Sequence, residues 1–342
     1  MIKQYTVSRD DSCYEAWPDI TVNSRGEYIC VFTECEHHKT RKNVRLSITK
    51  SRDKGITWDK KSAFTDVCEG ESTFNNARIN MLPDESMVIN CDRTVDDGRG
   101  GSVQYIWRSY DDGDTWSEPE ILDIDGIVPD KYRVLSNGRH IFGVHRRGES
   151  GKLEQFGYYS DDCGKNWTEV KIAADERYNL CEVCIVEVEE GCLVAFMREN
   201  SNKGIPCLKA ISKDYGTTWE GVFETNIDSC HRPVVGFYDN GKLLMTYRFM
   251  HGGKGWLGHW TQNLFGAFFT VESALATERK NHQARIFPIA YDRSDVSDTG
   301  YSGWACTDKK NFYVVNYLVD DAPKAQIRGY SFSIDDVIVH CD

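Results

Sequence analysis

An eight-residue pattern, S-x-D-x-G-x-[TN]-W, occurs four times in this 342-residue chain, at Ser51–Trp58, Ser109–Trp116, Ser160–Trp167 and Ser212–Trp219. Recurrence at a near-even spacing of this size marks repeated supersecondary units, typically the blades of a propeller. Each position has a physical task. The Ser and Asp oxygens accept hydrogen bonds from nearby backbone N–H groups and tie a tight turn. The Gly supplies a positive φ. The Trp buries a large apolar face, by expectation against the neighbouring blade. Asp53, Asp111, Asp162 and Asp214 are therefore read as turn-formers and not as catalysts.

The rest of the chain supplies the other strands. Six units share one form, an apolar strand, a polar turn and a second apolar strand. They run Asp19–Val22 to Tyr28–Thr33, Arg78–Leu82 to Met87–Asn90, and Tyr132–Leu135 to His140–Val144. The last three are Val183–Val188 to Cys192–Met197, Pro233–Tyr238 to Lys242–Tyr247, and Gly303–Thr307 to Phe312–Tyr317. The first four lead into the eight-residue motif; the last two lack it. No Pro/Gly/Ser-rich linker interrupts them, so the expectation is one all-β domain over residues 1–342. Its fold class is a six-bladed β-propeller of four-stranded antiparallel blades, with the strand around Gln4–Val7 completing the last blade.

Composition excludes several partners. The net charge is −12 and no basic stripe is present, which argues against nucleic acid. No apolar run approaches the ~20 residues of a membrane span. The opening Met-Ile-Lys-Gln-Tyr-Thr-Val reads as a strand and not as a signal peptide. The thirteen cysteines fit free thiols in a reducing compartment, so a cytoplasmic protein is expected, although a trimmed leader would make it secreted. Cys181 and Cys184 have C-x-x-C spacing but sit in an alternating strand, and no second pair stands at zinc-site spacing. No metal or cofactor is expected.

In a propeller the motif turns occupy one face, so the starts of first strands and the ends of second strands meet on the other. Those positions carry Trp17, Arg78, Glu182, His231, Arg232 and Tyr301, and Glu36, His37, His38, Arg93, His145, Arg146, Arg198 and Arg248. Arginine's planar fork suits carboxylates and other anions.

The motif resembles the Asp-box of the sialidase superfamily, and the resemblance extends to two further segments. Asn179–Asn200 is similar to a sialidase segment in which a Glu serves the nucleophile as base and an Arg near the strand end grips the substrate carboxylate. Thr299-Gly300-Tyr301-Ser302 resembles the segment that carries a Tyr nucleophile. The resemblance implies Tyr301 as nucleophile, Glu182 as its base, Arg198 as a carboxylate clamp and Arg232 as a second clamp residue. A neutral phenol needs a neighbouring base to attack at neutral pH, and unlike a carboxylate it does not repel an anionic sugar; sialidases are the Tyr-nucleophile exception among glycosidases.

Two departures accompany the likeness. Where sialidases open blade one with an Arg-bearing segment, this chain has Glu15-Ala16-Trp17-Pro18. The loop that holds the family's acidic proton donor reads Thr33-Glu34-Cys-Glu36-His37-His38-Lys39 and has no Asp. Glu36 or His37 would have to supply the proton, and Arg78 or Arg93 the missing clamp. The expectation is a retaining exo-glycosidase acting on a terminal, acidic sugar of an oligosaccharide or glycoconjugate, and a poor classical sialidase. The alternatives are another six-bladed carbohydrate-active enzyme, either an exo-arabinanase-like hydrolase or a His/Tyr polysaccharide lyase, and a non-catalytic glycan-binding propeller. The sequence leaves the oligomeric state open.

Overall fold

The computed structural model describes residues 1–70, 72–94, 101–251 and 261–338. It forms six four-stranded antiparallel sheets, the architecture of a six-bladed β-propeller. In chain order, blade one is Tyr14–Val22, Tyr28–Cys35, Arg45–Ser51 and Ser62–Ala63, and blade two is Arg78–Met81, Met87–Thr94, Ser102–Ser109 and Glu120–Leu122. Blade three is Arg133–Val134, His140–Arg147, Leu153–Ser160 and Thr168–Ala173, and blade four is Leu180–Glu189, Cys192–Glu199, Leu208–Ser212 and Glu220–Glu224. Blade five is Cys230–Asp239, Lys242–His251, Thr261–Thr270 and Arg285–Tyr291. Blade six is Ser302–Cys306, Asn311–Leu318 and Gln326–Ser333, with the N-terminal strand Lys3–Ser8 as its outermost member. Among the described residues the one α-helix is Val271–Leu275, and no helix is long and apolar enough to cross a membrane.

The contacts divide into two compact units. One comprises Met1–Asp125, Gln262–Leu264 and Phe287–Asp342; the other comprises Gly126–Thr261 and Phe265–Ile286. Each has its own apolar core, around Ile29, Phe32 and Tyr317 in the first and around Phe196, Leu243 and Ile185 in the second. Inner strands are covered on both faces, which is why Tyr28–Cys35 is buried throughout and reads as a near-continuous apolar run. Outer strands such as Lys3–Ser8 keep half of their side chains exposed.

The four motif copies each connect the third and fourth strands of blades one to four, as the spacing predicts. In the first copy, the Ser51 hydroxyl donates to Asp53 Oδ1 at 2.8 Å and accepts from the Gly55 N–H at 2.8 Å. Asp53 also receives the Thr57 N–H at 2.8 Å and the Thr57 hydroxyl at 2.6 Å. Asp111, Asp162 and Asp214 repeat the arrangement with Thr115, Asn166 and Thr218. These bonds favour the charged carboxylate. Chiefly through the Thr115 and Asn166 side chains, Asp111 and Asp162 are held down to about 2. The Gly has a second task. A Cβ on Gly55 would lie 2.1 Å from the Tyr313 ring of blade six, and one on Gly113 would lie 2.8 Å from Ile29 of blade one. The turn is thus pressed against the preceding blade, where Trp58 Nε1 donates to the Tyr313 hydroxyl at 3.1 Å.

Candidate active site

Three first strands break their ladders at the same place, near the start. Blade one shifts register between Ala16 and Asp19, blade four between Cys181 and Val183, and blade five between His231 and Val234. Such a bulge leaves residues unpaired and re-aims their side chains. The residues that the ladders skip are Trp17-Pro18, Glu182 and Arg232-Pro233. Trp17 and Arg232 adopt φ of 53° and 52°, a left-handed backbone that costs a non-glycine residue free energy. Each precedes a proline, which has no N–H to give to a ladder.

In the first unit the bulge buries Trp17, and the Arg41 guanidinium lies over its ring at 4.3 Å. Arg41 comes from the irregular loop between the second and third strands of blade one. It donates to Asn75 Oδ1 and to the Phe74 carbonyl, while its Nε has no partner among the described residues. Burial lowers its pKa, opposed by the neighbouring Cys35, Asp92, Cys91 and Tyr301. Asp92, fully buried, accepts from Asn75 Nδ2. Tyr301 is buried and meets Tyr317 edge-on with ring centres 6.4 Å apart. Its segment is pinned by Gly300 N–H to Asn316 Oδ1 at 2.9 Å and by the Thr299 hydroxyl to the Tyr317 carbonyl at 2.7 Å.

The second unit gathers a different set. Arg198 Nη1 reaches both oxygens of buried Glu182 at 3.0 Å. Arg232 is 2% exposed and donates to the Val128 and Pro129 carbonyls at 3.4 and 3.3 Å. Arg248 meets His231 Nδ1 at 3.3 Å, and Cys181 Sγ meets His145 Nε2 at 3.3 Å. His145 is pushed down to about 4, first by burial, with Glu182 opposing and Arg198 and Arg232 assisting. His231 is pushed down to about 2 by burial and then by Arg198 and Arg248. Both imidazoles are neutral at physiological pH.

The other anticipated residues face elsewhere. Arg78 is buried against Asp19, Nε to Oδ2 at 3.4 Å, and Asp19 also accepts the Ile79 N–H at 2.9 Å. Arg93 holds the Ser72 and Tyr105 hydroxyls at 2.8 and 3.2 Å. Arg146 turns to Glu169 on the outer strand of its blade at 2.9 Å. Glu36 and His37 are exposed, and His37 Nδ1 accepts the Lys39 N–H at 3.1 Å. His38, the next residue, pairs with Asp298. Arg41, Asp92 and Asp298 were outside the sequence-derived set. Arg41 lies in an aperiodic loop that gives no sequence signal, whereas Asp92 is detectable as an acid directly following the run Met87–Cys91 within one strand.

All twelve described cysteines are free. Cys13, Glu15 and Glu34 bring possible metal ligands within 4.8 Å of one another. Lys61 Nζ stands among them, 3.4, 2.6 and 2.5 Å away, so an ammonium already supplies the positive charge there.

Comparison with known proteins agrees with this architecture. Residues 85–251 match the model of the BNR repeat-like domain. No curated protein matches by sequence. A protein of unknown function from Dyadobacter fermentans superposes with a TM-score of 0.79 at 19% identity, over 96% of this chain and 98% of that one. The Hadza microbial sialidase Hz136 gives 0.73 at 16% identity, over 98% of this chain and 69% of its own. The Trypanosoma rangeli sialidase in complex with sialic acid gives 0.70 at 16% identity, over 96% and 58%. By fold, then, the chain is a sialidase-like propeller. Its particular form is a six-bladed one built on BNR-type repeats.

Proposed function

We propose that this chain is a retaining exo-glycosidase that removes a terminal acidic sugar from an oligosaccharide or glycoconjugate. Tyr301 is the nucleophile and Glu182 its base, the roles that the resemblance to sialidases gives them. Arg198 and Arg232 receive the sugar's anionic group, roles that the same resemblance gives them.

The observation that carries this reading is the buried, electropositive ground around Glu182. Arg198, Arg232 and Arg248 there help to hold two histidines neutral, and such a setting favours an anionic ligand. Sialidases among the structural neighbours act on glycans, which supports the same substrate class. Sialic acid itself is the less favoured sugar. A bidentate Arg–carboxylate contact absent from a buried site costs on the order of 2–5 kcal/mol, and Arg78 and Arg93 are engaged elsewhere.

A panel of 4-nitrophenyl and methylumbelliferyl glycosides, including the sialoside, tests the proposal. Turnover of an acidic glycoside is expected, slower on the sialoside than with ordinary sialidases. Tyr301→Phe should cost at least ~10³-fold in kcat with an unchanged urea midpoint. Binding without turnover across the panel would point to a glycan-binding propeller instead, and an ultraviolet-absorbing unsaturated product to a lyase.

A further inference from the structure

The loop of blade one between its second and third strands contains no aspartate, yet it places a histidine against one. His38 Nδ1 lies 2.5 Å from Asp298 Oδ2. The same carboxylate accepts the hydroxyls of Tyr14, at Oδ2, and of Tyr317, at Oδ1 and 2.7 Å. Asp298 is itself fixed, since its N–H donates to Asp292 Oδ2 at 2.9 Å. Burial works against its ionisation, but the His38, Tyr14 and Tyr317 hydrogen bonds override that and hold its pKa below the usual range. The imidazole is braced as well. Its ring meets Trp17 edge-on at 5.0 Å and Tyr14 at 6.4 Å. With Nδ1 committed to a carboxylate, Nε2 is the nitrogen left to act, and the side chain is 40% exposed. Asp298 is three residues before Tyr301, and the Tyr317 ring contacts both Tyr301, at 6.4 Å, and Trp17, at 6.1 Å.

We propose that His38, oriented by Asp298, is the proton donor and acceptor of this enzyme, in place of a carboxylic acid. The inference rests on the hydrolase reading above. An imidazole whose far nitrogen is tied to a part-buried carboxylate is a general acid–base of well-known type. In the first step the Tyr301 oxygen bonds to the anomeric carbon and its proton passes to Glu182. The glycosidic C–O bond breaks and the leaving oxygen takes the proton from Nε2 of protonated His38. In the second step neutral His38 removes a proton from water, whose oxygen bonds to the anomeric carbon. The Tyr301 oxygen departs and recovers its proton from Glu182, and both groups return to their starting states. Asp298 is a positioning residue in this scheme.

Leaving-group dependence tests the assignment. Wild type, His38→Ala and Asp298→Asn are assayed on the methyl and the 2,4-dinitrophenyl glycoside of each sugar in the panel. A dinitrophenolate departs without protonation, whereas a methoxide does not. His38→Ala should lose ~10²- to 10⁴-fold on the methyl glycoside and under ~10-fold in the dinitrophenyl glycosylation step. Asp298→Asn should show the same pattern in weaker form, which a fold defect would not produce because it would lower both rates together. Equal losses on the two substrates, or no loss on the methyl glycoside, would overturn the assignment of His38 while leaving the hydrolase reading in place. A wild-type chain inert on every glycoside would overturn both.

Discussion

Gly55 and Gly138 have nearly the same backbone, with φ of +85° and +86°, and very different surroundings. An alanine Cβ at Gly138 would meet nothing within 4 Å, whereas at Gly55 it would meet the Tyr313 ring. Gly138→Ala should therefore cost only the left-handed backbone term, about 1 kcal/mol. Gly55→Ala adds overpacking of roughly 1–3 kcal/mol and should be clearly less stable in urea. Equal midpoints for the two variants would show that Tyr313 yields without cost. The turn-forming role of this glycine was legible in the motif. Its close approach to the preceding blade was not, because the partner ring is 258 residues away in sequence.

The bulged first strand is the element that carries Trp17, Glu182 and Arg232. Trp17 and Arg232 each trade a strained backbone for a buried side chain, and the magnitudes favour the side chain. Truncating a buried aromatic costs about 3–5 kcal/mol, whereas the left-handed conformation costs about 1–2 kcal/mol. Trp17→Gly should thus be destabilised, but about 1 kcal/mol less than Trp17→Ala, and Arg232→Gly against Arg232→Ala should show the same ordering. Chemical denaturation of the four variants checks it, and an inverted order would mean that the bulge carries no strain. The strands and turns were readable because Gly, Asn and Pro punctuate apolar runs of consistent length. The site was only partly readable because a bulge defeats period-two reasoning. Glu182 came into view as a first-strand start and took its role from the family likeness, and nothing in the alternation around Arg41 or Asp298 marks either.

At the scale of the whole molecule, acid should undo the fold through its histidines before its aspartates. His145, His231 and His282 are pushed by burial to about 4, 2 and 3, whereas an unfolded chain's histidines titrate near 6.5. Above pH 6.5 neither state is protonated and nothing is lost. Below it the unfolded chain takes up protons that the fold refuses, so stability falls by roughly 1.4 kcal/mol per pH unit for each histidine, continuing for His145 down to about pH 4. The motif carboxylates Asp111 and Asp162, held at about 2, contribute their loss only below about pH 4. Urea denaturation at pH 7, 6 and 5.5 should show this slope, and His282→Asn should remove about a third of it. A flat profile would mean that the imidazoles already accept protons in the folded state. The same wide view gives the sixth sheet an unusual history. Lys3 pairs with Ser331 and Thr6 with Arg328, so Lys3–Ser8 finds its partner only once Gln326–Ser333 has been synthesised. Until then Lys3–Ser8 has no strand to pair with. The join works as a late clasp, set by the order of synthesis, and a nascent chain that stalls before Gln326 would carry that open strand into whatever it met first.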